Sequence, residues 1–406
     1  MSTAKAELIC TGSELLEGKL NLYPPLFHAR LAPLGFTLTR EQSSGDRLAD
    51  IADCVKGALS RADLVLVCGG LGPTFDDLTR QAAAKALGRR LVLSKPCEQV
   101  LAINFGLEGK KLPPNLRDQA IIVEGAKALE NPNGTAFGEV ITRGRKMLVL
   151  LPGPRSEWEP VFDAFLAAEL KDFFRLPPLH SARLRLAGIG EPRAEALLAP
   201  PMRRFKKLGR TILAGAGTVD FIISGRDAGA VARAAAACRR AAGAALYSEG
   251  EETLAAAVGA RLKARGRAFA AAESCTGGLV AKLATDVPGS SAWFLGGVTA
   301  YSNPAKTRFL GVKPATLRRH GAVSAACAAE MAAGARRAFG CAYAVATTGI
   351  AGPDGGTPEK PVGLVWFGLA GPRGVRTFSR RFRGGREQVR ARAAVCALNE
   401  LRKIIK

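Results

Sequence analysis

Histidine is scarce in this chain: three in 406 residues, His28, His180 and His320. A hydrolytic site built on an imidazole base has little to draw on. Aromatic residues make up 6%, too few for the stacking platforms that hold single-stranded nucleic acid. Nine cysteines are scattered with no C-x-x-C pair, which points to free thiols in a reducing cytoplasm and away from a disulfide framework or a zinc site. No apolar run approaches the roughly 18–20 residues of a membrane span. The first residues, Met1 to Cys10, lack the apolar core of a secretory leader. A cytoplasmic protein with no membrane partner is expected. Acidic residues are also in deficit, 35 Asp and Glu against 58 Lys and Arg, a net charge of +23. Such a charge attracts nucleic acid or phosphorylated metabolites. The arginines are spread along the chain and not gathered in a tail, which favours solvated helix faces, so nucleic acid is a secondary candidate.

Hydrophobic residues reach 48%, enough for the two or three packed domains that the length suggests. Residues 1–175 alternate strand and helix signals: Glu7–Cys10, Phe36–Thr39 and Asp63–Cys68 read as strands, with helices from Leu48 and Leu78. That order predicts an α/β domain with a parallel sheet covered by helices. Leu176-Pro177-Pro178-Leu179 is a stiff linker. Residues 176–248 read as a small α+β module with strands at Arg183–Ala187 and Val219–Ile223, and residues 249–406 as a second α/β domain ending in a hairpin and a long helix.

Ligands of parallel sheets sit beyond the strand ends, so the turns matter most. In the first domain, Gly69-Gly70-Leu71-Gly72 leads to Asp76, Asp77 and Thr79. Glycines let backbone amides approach a phosphate, and adjacent carboxylates suit a divalent cation bound to it. Glu14, Asp46 and the turn at Asn133-Gly134 also follow strand signals. In the last domain, Ala268–Ala271 precedes Glu273-Ser274-Cys275-Thr276-Gly277-Gly278, which leads into a helix at Leu279. A hydroxyl in a small-residue turn before a helix start is placed to meet a phosphate or a developing oxyanion. Serine needs a base. His320 lies in Arg318-Arg319-His320-Gly321, a helix-to-strand junction, and a buried lysine or a tyrosine is the better candidate. Cys275 is a rival nucleophile. Arg383 and Arg386, at the start of the last helix, are placed to meet a phosphate.

Four stretches in order, Glu273–Gly278, Tyr301-Ser302-Asn303 with Lys306, His320–Ser324 and Thr348–Gly356, resemble the C-terminal domain of the CinA family, which is similar to nicotinamide-mononucleotide amidases. The resemblance implies Ser274 as nucleophile, activated by Tyr301 and Lys306. It also implies Thr348 and the Gly277 and Gly349 backbones around the reacting amide, and Glu273, Thr276, Gly278 and Arg386 at the substrate. The reaction implied is hydrolysis of nicotinamide mononucleotide to nicotinate mononucleotide and ammonia, with no cofactor. The turns at Thr11–Glu14, Ser44–Asp46, Gly69–Thr79, Asn131–Ala136 and Leu151–Pro154 resemble the N-terminal domain of the same family, similar to the molybdopterin-binding fold. That likeness implies a divalent cation such as Mg²⁺ on Glu14, Asp46, Asp76 and Asp77. It implies ADP-ribose cleavage, with Gly69, Gly70, Gly72, Thr79, Asn133 and Gly134 at the substrate. Ser13 stands where many relatives carry Asp. The family also implies a KH-like middle module and a homodimer. Two readings compete: an amidase with a non-catalytic nucleotide- or pterin-binding N-terminal domain, and a binding protein whose basic surface recruits DNA.

Overall fold

The computed structural model describes residues 4–405. The chain forms two compact units, one up to His180 and one from Ser181 onward.

The first unit contains β1 (Ala4–Thr11), β2 (Phe36–Ser44), β3 (Leu64–Cys68), a separate pair β4 (Leu91–Leu93) and β5 (Ile121–Val123), then β6 (Lys127–Leu129), β7 (Gly138–Arg143) and β8 (Lys146–Leu151). The main sheet runs β2-β1-β3-β8-β7-β6. Its first four strands are parallel, as the sequence predicts. The β7–β8 hairpin then reverses direction, so the sheet is mixed. Strand β3 is buried at all five positions because helices cover both faces. Alternation sorts its side chains: Leu64, Leu66 and Cys68 meet Phe27, Trp158 and Phe162, while Val65 and Val67 meet Ile51, Val55 and Ala82. The turn after β1 holds a single 3₁₀ turn, Ser13–Leu15.

The second unit begins with a four-stranded sheet in the order β10-β11-β9-β12. Its strands are β9 (His180–Ala187), β10 (Gly209–Ala214), β11 (Thr218–Gly225) and β12 (Leu246–Glu249). Leu184, Leu186, Phe221 and Ile223 pack on Leu198, Ala234 and Cys238 of helices Glu191–Met202 and Ala228–Ala242. A five-stranded sheet follows, in the order β14-β13-β15-β16-β17. It is made of β13 (Phe269–Glu273), β14 (Phe294–Thr299), β15 (Tyr343–Gly349), β16 (Leu364–Gly371) and β17 (Gly374–Arg381). The first three are parallel and the β16–β17 hairpin is antiparallel. Helices Leu254–Lys263, Leu279–Thr285 and Arg386–Ile404 contribute to the core on one face. On the other face, Ala272, Ala344, Ala346 and Ala370 are small and let helix Ala325–Ala338 sit close. The segment Arg318–Gly321 is not a helix-to-strand junction. Helix Pro314–His320 is followed by helix Ala325–Ala338, whose N-cap Ser324 accepts from the Cys327 N–H at 3.2 Å.

Candidate active site

Register brings the separate motifs of the second unit together. Glu273, at the end of β13, lies level with Thr299 of β14 and Thr347 of β15. The next residues, Ser274 and Ala300, leave the sheet beside Thr348, which is still within β15, and the ladder continues through Ser274 N–H to Thr347 O at 2.9 Å and Ala300 N–H to Glu273 O at 2.8 Å. Beyond Ala300 the chain turns at Ser302, whose hydroxyl caps helix Asn303–Leu310, with Pro304 in the first turn. Helical side chains tilt toward the N-terminus. Lys306 accordingly reaches back over the end of β14.

Its Nζ lies 3.0 Å from Ser274 Oγ, 2.9 Å from Ala300 O and 3.1 Å from Tyr301 O. Lys306 is 1% exposed. Burial lowers its proton affinity, and the neighbouring thiols of Cys327 and Cys275 act in the opposite sense. The count of partners is chemically informative. A protonated amine donates to all three oxygens. A neutral amine donates to the two carbonyls and turns its lone pair to the Ser274 hydroxyl. The same three contacts thus hold both ends of a proton transfer.

The turn that carries Ser274 is fixed from behind. The Glu273 carboxylate accepts from the N–H groups of Gly278, Val280 and Ala281 at 2.9, 3.0 and 2.9 Å, capping helix Leu279–Thr285. Thr276 is buried and shares a 2.7 Å hydrogen bond with Thr347 Oγ1. Gly277 and Gly278 have φ of 61° and 95°, conformations that disfavour a side chain. These contacts give the expected site residues protein partners. Glu273 and Thr276 face inward, and the N–H groups of Gly277 and Gly278 are donated to Ser274 O and Glu273, so all four shape the turn. Thr348 donates its hydroxyl to Ala322 O at 2.8 Å and braces the loop before helix Ala325–Ala338. Gly349 is required by space, since a Cβ there would lie 2.5 Å from Leu364 O.

Tyr301 contributes its carbonyl to Lys306, while its phenol accepts from Arg386 at 2.8 Å. Its ring is 60% exposed at the rim. Arg386 also donates to Gly352 O at 2.8 Å. Cys275 is buried and its thiol is pushed up to about 12 by desolvation, so it stays protonated beside the serine. Two groups were not anticipated. The Ala300 carbonyl could not be read from a side-chain motif. Arg390, which donates to Thr276 O at 3.1 Å, sits four residues after Arg386 on the same helix face, a spacing the sequence does contain.

In the first unit a cavity of about 400 Å³ gathers Glu14, Asp46, Asp76, Asp77, Gly69 and Gly70, with Lys19 and Tyr23 as unanticipated neighbours. Gly70 has φ of 65°, and a Cβ there would collide with the Thr79 hydroxyl, so the turn requires glycine at this position. Gly72, Thr79, Asn133 and Gly134 are not among its lining residues. Thr79 bonds Thr11 Oγ1 at 3.3 Å, and Asn133 donates to Ser156 O at 2.7 Å. Gly134 sits against Asn131 and Glu157. Three of the carboxylates have protein partners. Asp46 accepts from Ser13 N–H at 2.7 Å, Asp77 from Thr74 N–H at 2.9 Å, and Glu14 from Lys19 at 3.2 Å. Among the described residues no three acidic, His or Cys side chains stand close enough to hold a metal ion. A closed protein cage is therefore not built here. A magnesium ion needs only one or two carboxylates when a substrate phosphate supplies other ligands, and Asp76 and Asp77 at the glycine turn fit that arrangement.

Fold and site together define a two-unit α/β protein with a buried serine–lysine pair in the second unit. The models of two families match it: "Probable molybdopterin binding domain" over residues 7–172 and "CinA C-terminal domain" over residues 251–405. A CinA-like protein of Anaeromyxobacter dehalogenans is 40% identical over 405 residues, covering 98% of this chain and 99% of that protein. A CinA-like protein of Thermotoga maritima is 38% identical over 412 residues, covering 99% and 98%. The crystal structure of the competence/damage inducible protein CihA from Agrobacterium tumefaciens is 42% identical over 37% of this chain and 92% of its own, with a TM-score of 0.36. The chain belongs to the CinA family. No helix among the described residues is long and apolar enough to cross a membrane.

Proposed function

We propose that the second unit is an amidase that hydrolyses nicotinamide mononucleotide to nicotinate mononucleotide and ammonia. The 3.0 Å contact between the buried Lys306 amine and the Ser274 hydroxyl carries this reading. Neutral Lys306 accepts the serine proton as Oγ bonds to the carboxamide carbon. The resulting ammonium returns that proton to the leaving nitrogen as the C–N bond breaks and ammonia departs. Water then attacks the ester carbon, Lys306 takes its proton, and that proton passes to Ser274 Oγ as the ester opens. The pyridinium ring is cationic, and the exposed face of Tyr301 attracts such a ring. Arg386 beside it offers charge to the phosphate. The test is ammonia release from nicotinamide mononucleotide. Ser274→Ala and Lys306→Ala should each lower turnover by about 10²-fold or more. Undiminished turnover in Ser274→Ala protein rejects the mechanism.

For the first unit we propose cleavage of ADP-ribose to AMP and ribose 5-phosphate, with a divalent cation held by Asp76 and Asp77. When bound, the cation would neutralise the diphosphate and acidify a water. The glycine turn would hold the diphosphate through its backbone. A second reading is binding without hydrolysis. The existing partners of Asp46, Asp77 and Glu14 favour it. AMP formation from ADP-ribose and magnesium selects the first reading, and saturable binding without AMP selects the second.

A further inference from the structure

A cavity of about 490 Å³ in the second unit includes none of the Ser274, Lys306 or Thr348 side chains in its wall. It lies between the turn Gly188–Glu191, which follows β9, and the last helix. Arg392, Cys396, Asn399 and Lys403 follow one another at steps of four, three and four, so a single face of that helix lines it. The wall carries three cations, Arg380, Arg392 and Lys403, against two carboxylates, Glu191 and Glu400. Arg392 donates to Arg383 O and Arg380 to Ser379 O, and neither has a carboxylate partner among the described residues. Glu400, also in the wall, is bracketed by Lys403 at 2.6 Å and Arg376 at 3.7 Å. Helix Glu191–Met202 starts at the cavity with no side-chain cap, but its first turn holds the Glu191 carboxylate and Pro192, which has no N–H, so it adds little to the attraction of an anion.

Asn399 supplies the independent observation. It is 1% exposed. Its Oδ1 accepts from Arg402 Nε at 3.2 Å and Nη2 at 3.0 Å, which fixes the orientation of the amide. Its Nδ2 is thereby turned toward the Gly188 end of the cavity and has no hydrogen-bond partner. Buried donors are almost always paired. The turn facing it has glycine at both 188 and 190, so no Cβ closes the approach.

We propose that this cavity binds a phosphate-bearing small molecule, with the Asn399 amide, Arg380, Arg392 and Lys403 as its donors. The site does not depend on the reactions proposed above. Isothermal titration of the full chain with inorganic pyrophosphate tests it. Asn399→Asp keeps the acceptor for Arg402 and replaces the orphan donor with a negative oxygen. Arg392→Ser removes a cation from the wall, and as a half-buried surface change it gives a readout even where Asn399→Asp fails to fold. Each variant should lose one pyrophosphate per chain. Lys19→Ser, in the first unit's cavity, should keep that one. No pyrophosphate uptake by the wild type at millimolar concentration, or unchanged stoichiometry in Arg392→Ser protein, overturns the proposal.

Discussion

Lys306 must lose a proton before it can take one, and the pH dependence of the amidase follows from that. Burial moves the amine below the ordinary lysine value of 10.5. Below its folded pKa the amine is charged and cannot act as a base, so kcat/KM should fall about tenfold per pH unit. Above it the rate levels off. The rising limb should therefore bend at a pH under 10.5, measured by ammonia release. Lys306→Arg keeps a cation that does not deprotonate and should show no rising limb. A profile that climbs without inflection to pH 10.5 contradicts the assignment. Ser274 was legible in the sequence as a hydroxyl in a small-residue turn, whereas Lys306 came only from the resemblance carried by Tyr301-Ser302-Asn303 and the stretches around it. The directions of Glu273, Thr276 and Thr348 were not legible. Sequence gives the kind of polar group, and only the register of three strands decides whether it faces a substrate or a neighbouring backbone.

At the level of elements, the turn between β13 and helix Leu279–Thr285 behaves as one part. A single carboxylate holds three backbone N–H groups of that part. Glu273→Ala leaves them unpaired in a largely buried place and should destabilise the second unit by about 2–4 kcal/mol, allowing for partial access of water. Glu273→Gln retains one acceptor oxygen and should lose less. Thermal unfolding followed by calorimetry separates the two, and equal stability of Glu273→Ala and wild type would remove the turn's claim to this anchor. Strands such as β3 and β13 were legible because both faces are covered and the sequence is apolar throughout β3 and up to Ala272 in β13. Strand β10 was not. It is a sheet edge with exposed or half-buried positions throughout, and Gly209-Arg210-Thr211 carries no alternation to mark it. The reversal at β7 and β8 lies outside the strands read from the sequence, although the two-residue connection Gly144-Arg145 admits only a hairpin.

Across the whole molecule, the hydrophobic clusters divide with the two units: none of them draws residues from both sides of the boundary near residue 180. Separate cores should unfold as separate transitions. In the first unit, Arg80 pairs with Glu139 at 2.9 Å, both buried, and also donates to Leu71 O at 2.9 Å in the glycine turn. Desolvation pushes the Glu139 carboxyl up, and the Arg80 charge with the Val123 N–H pulls it back. Arg80→Met leaves that carboxylate buried without its cation, which costs about 3–5 kcal/mol. Calorimetry should show the first unit's transition falling in Arg80→Met while the second stays in place, and the reverse in Glu273→Ala. The same Arg80→Met protein should bind ADP-ribose more weakly, because Leu71 loses its support, yet release ammonia from nicotinamide mononucleotide at the wild-type rate. If one transition moves with both variants, the units unfold together, and the separation of cores has no energetic consequence. The net charge of +23 does not enter this test, since the ion pair it breaks is buried and hardly screened by salt.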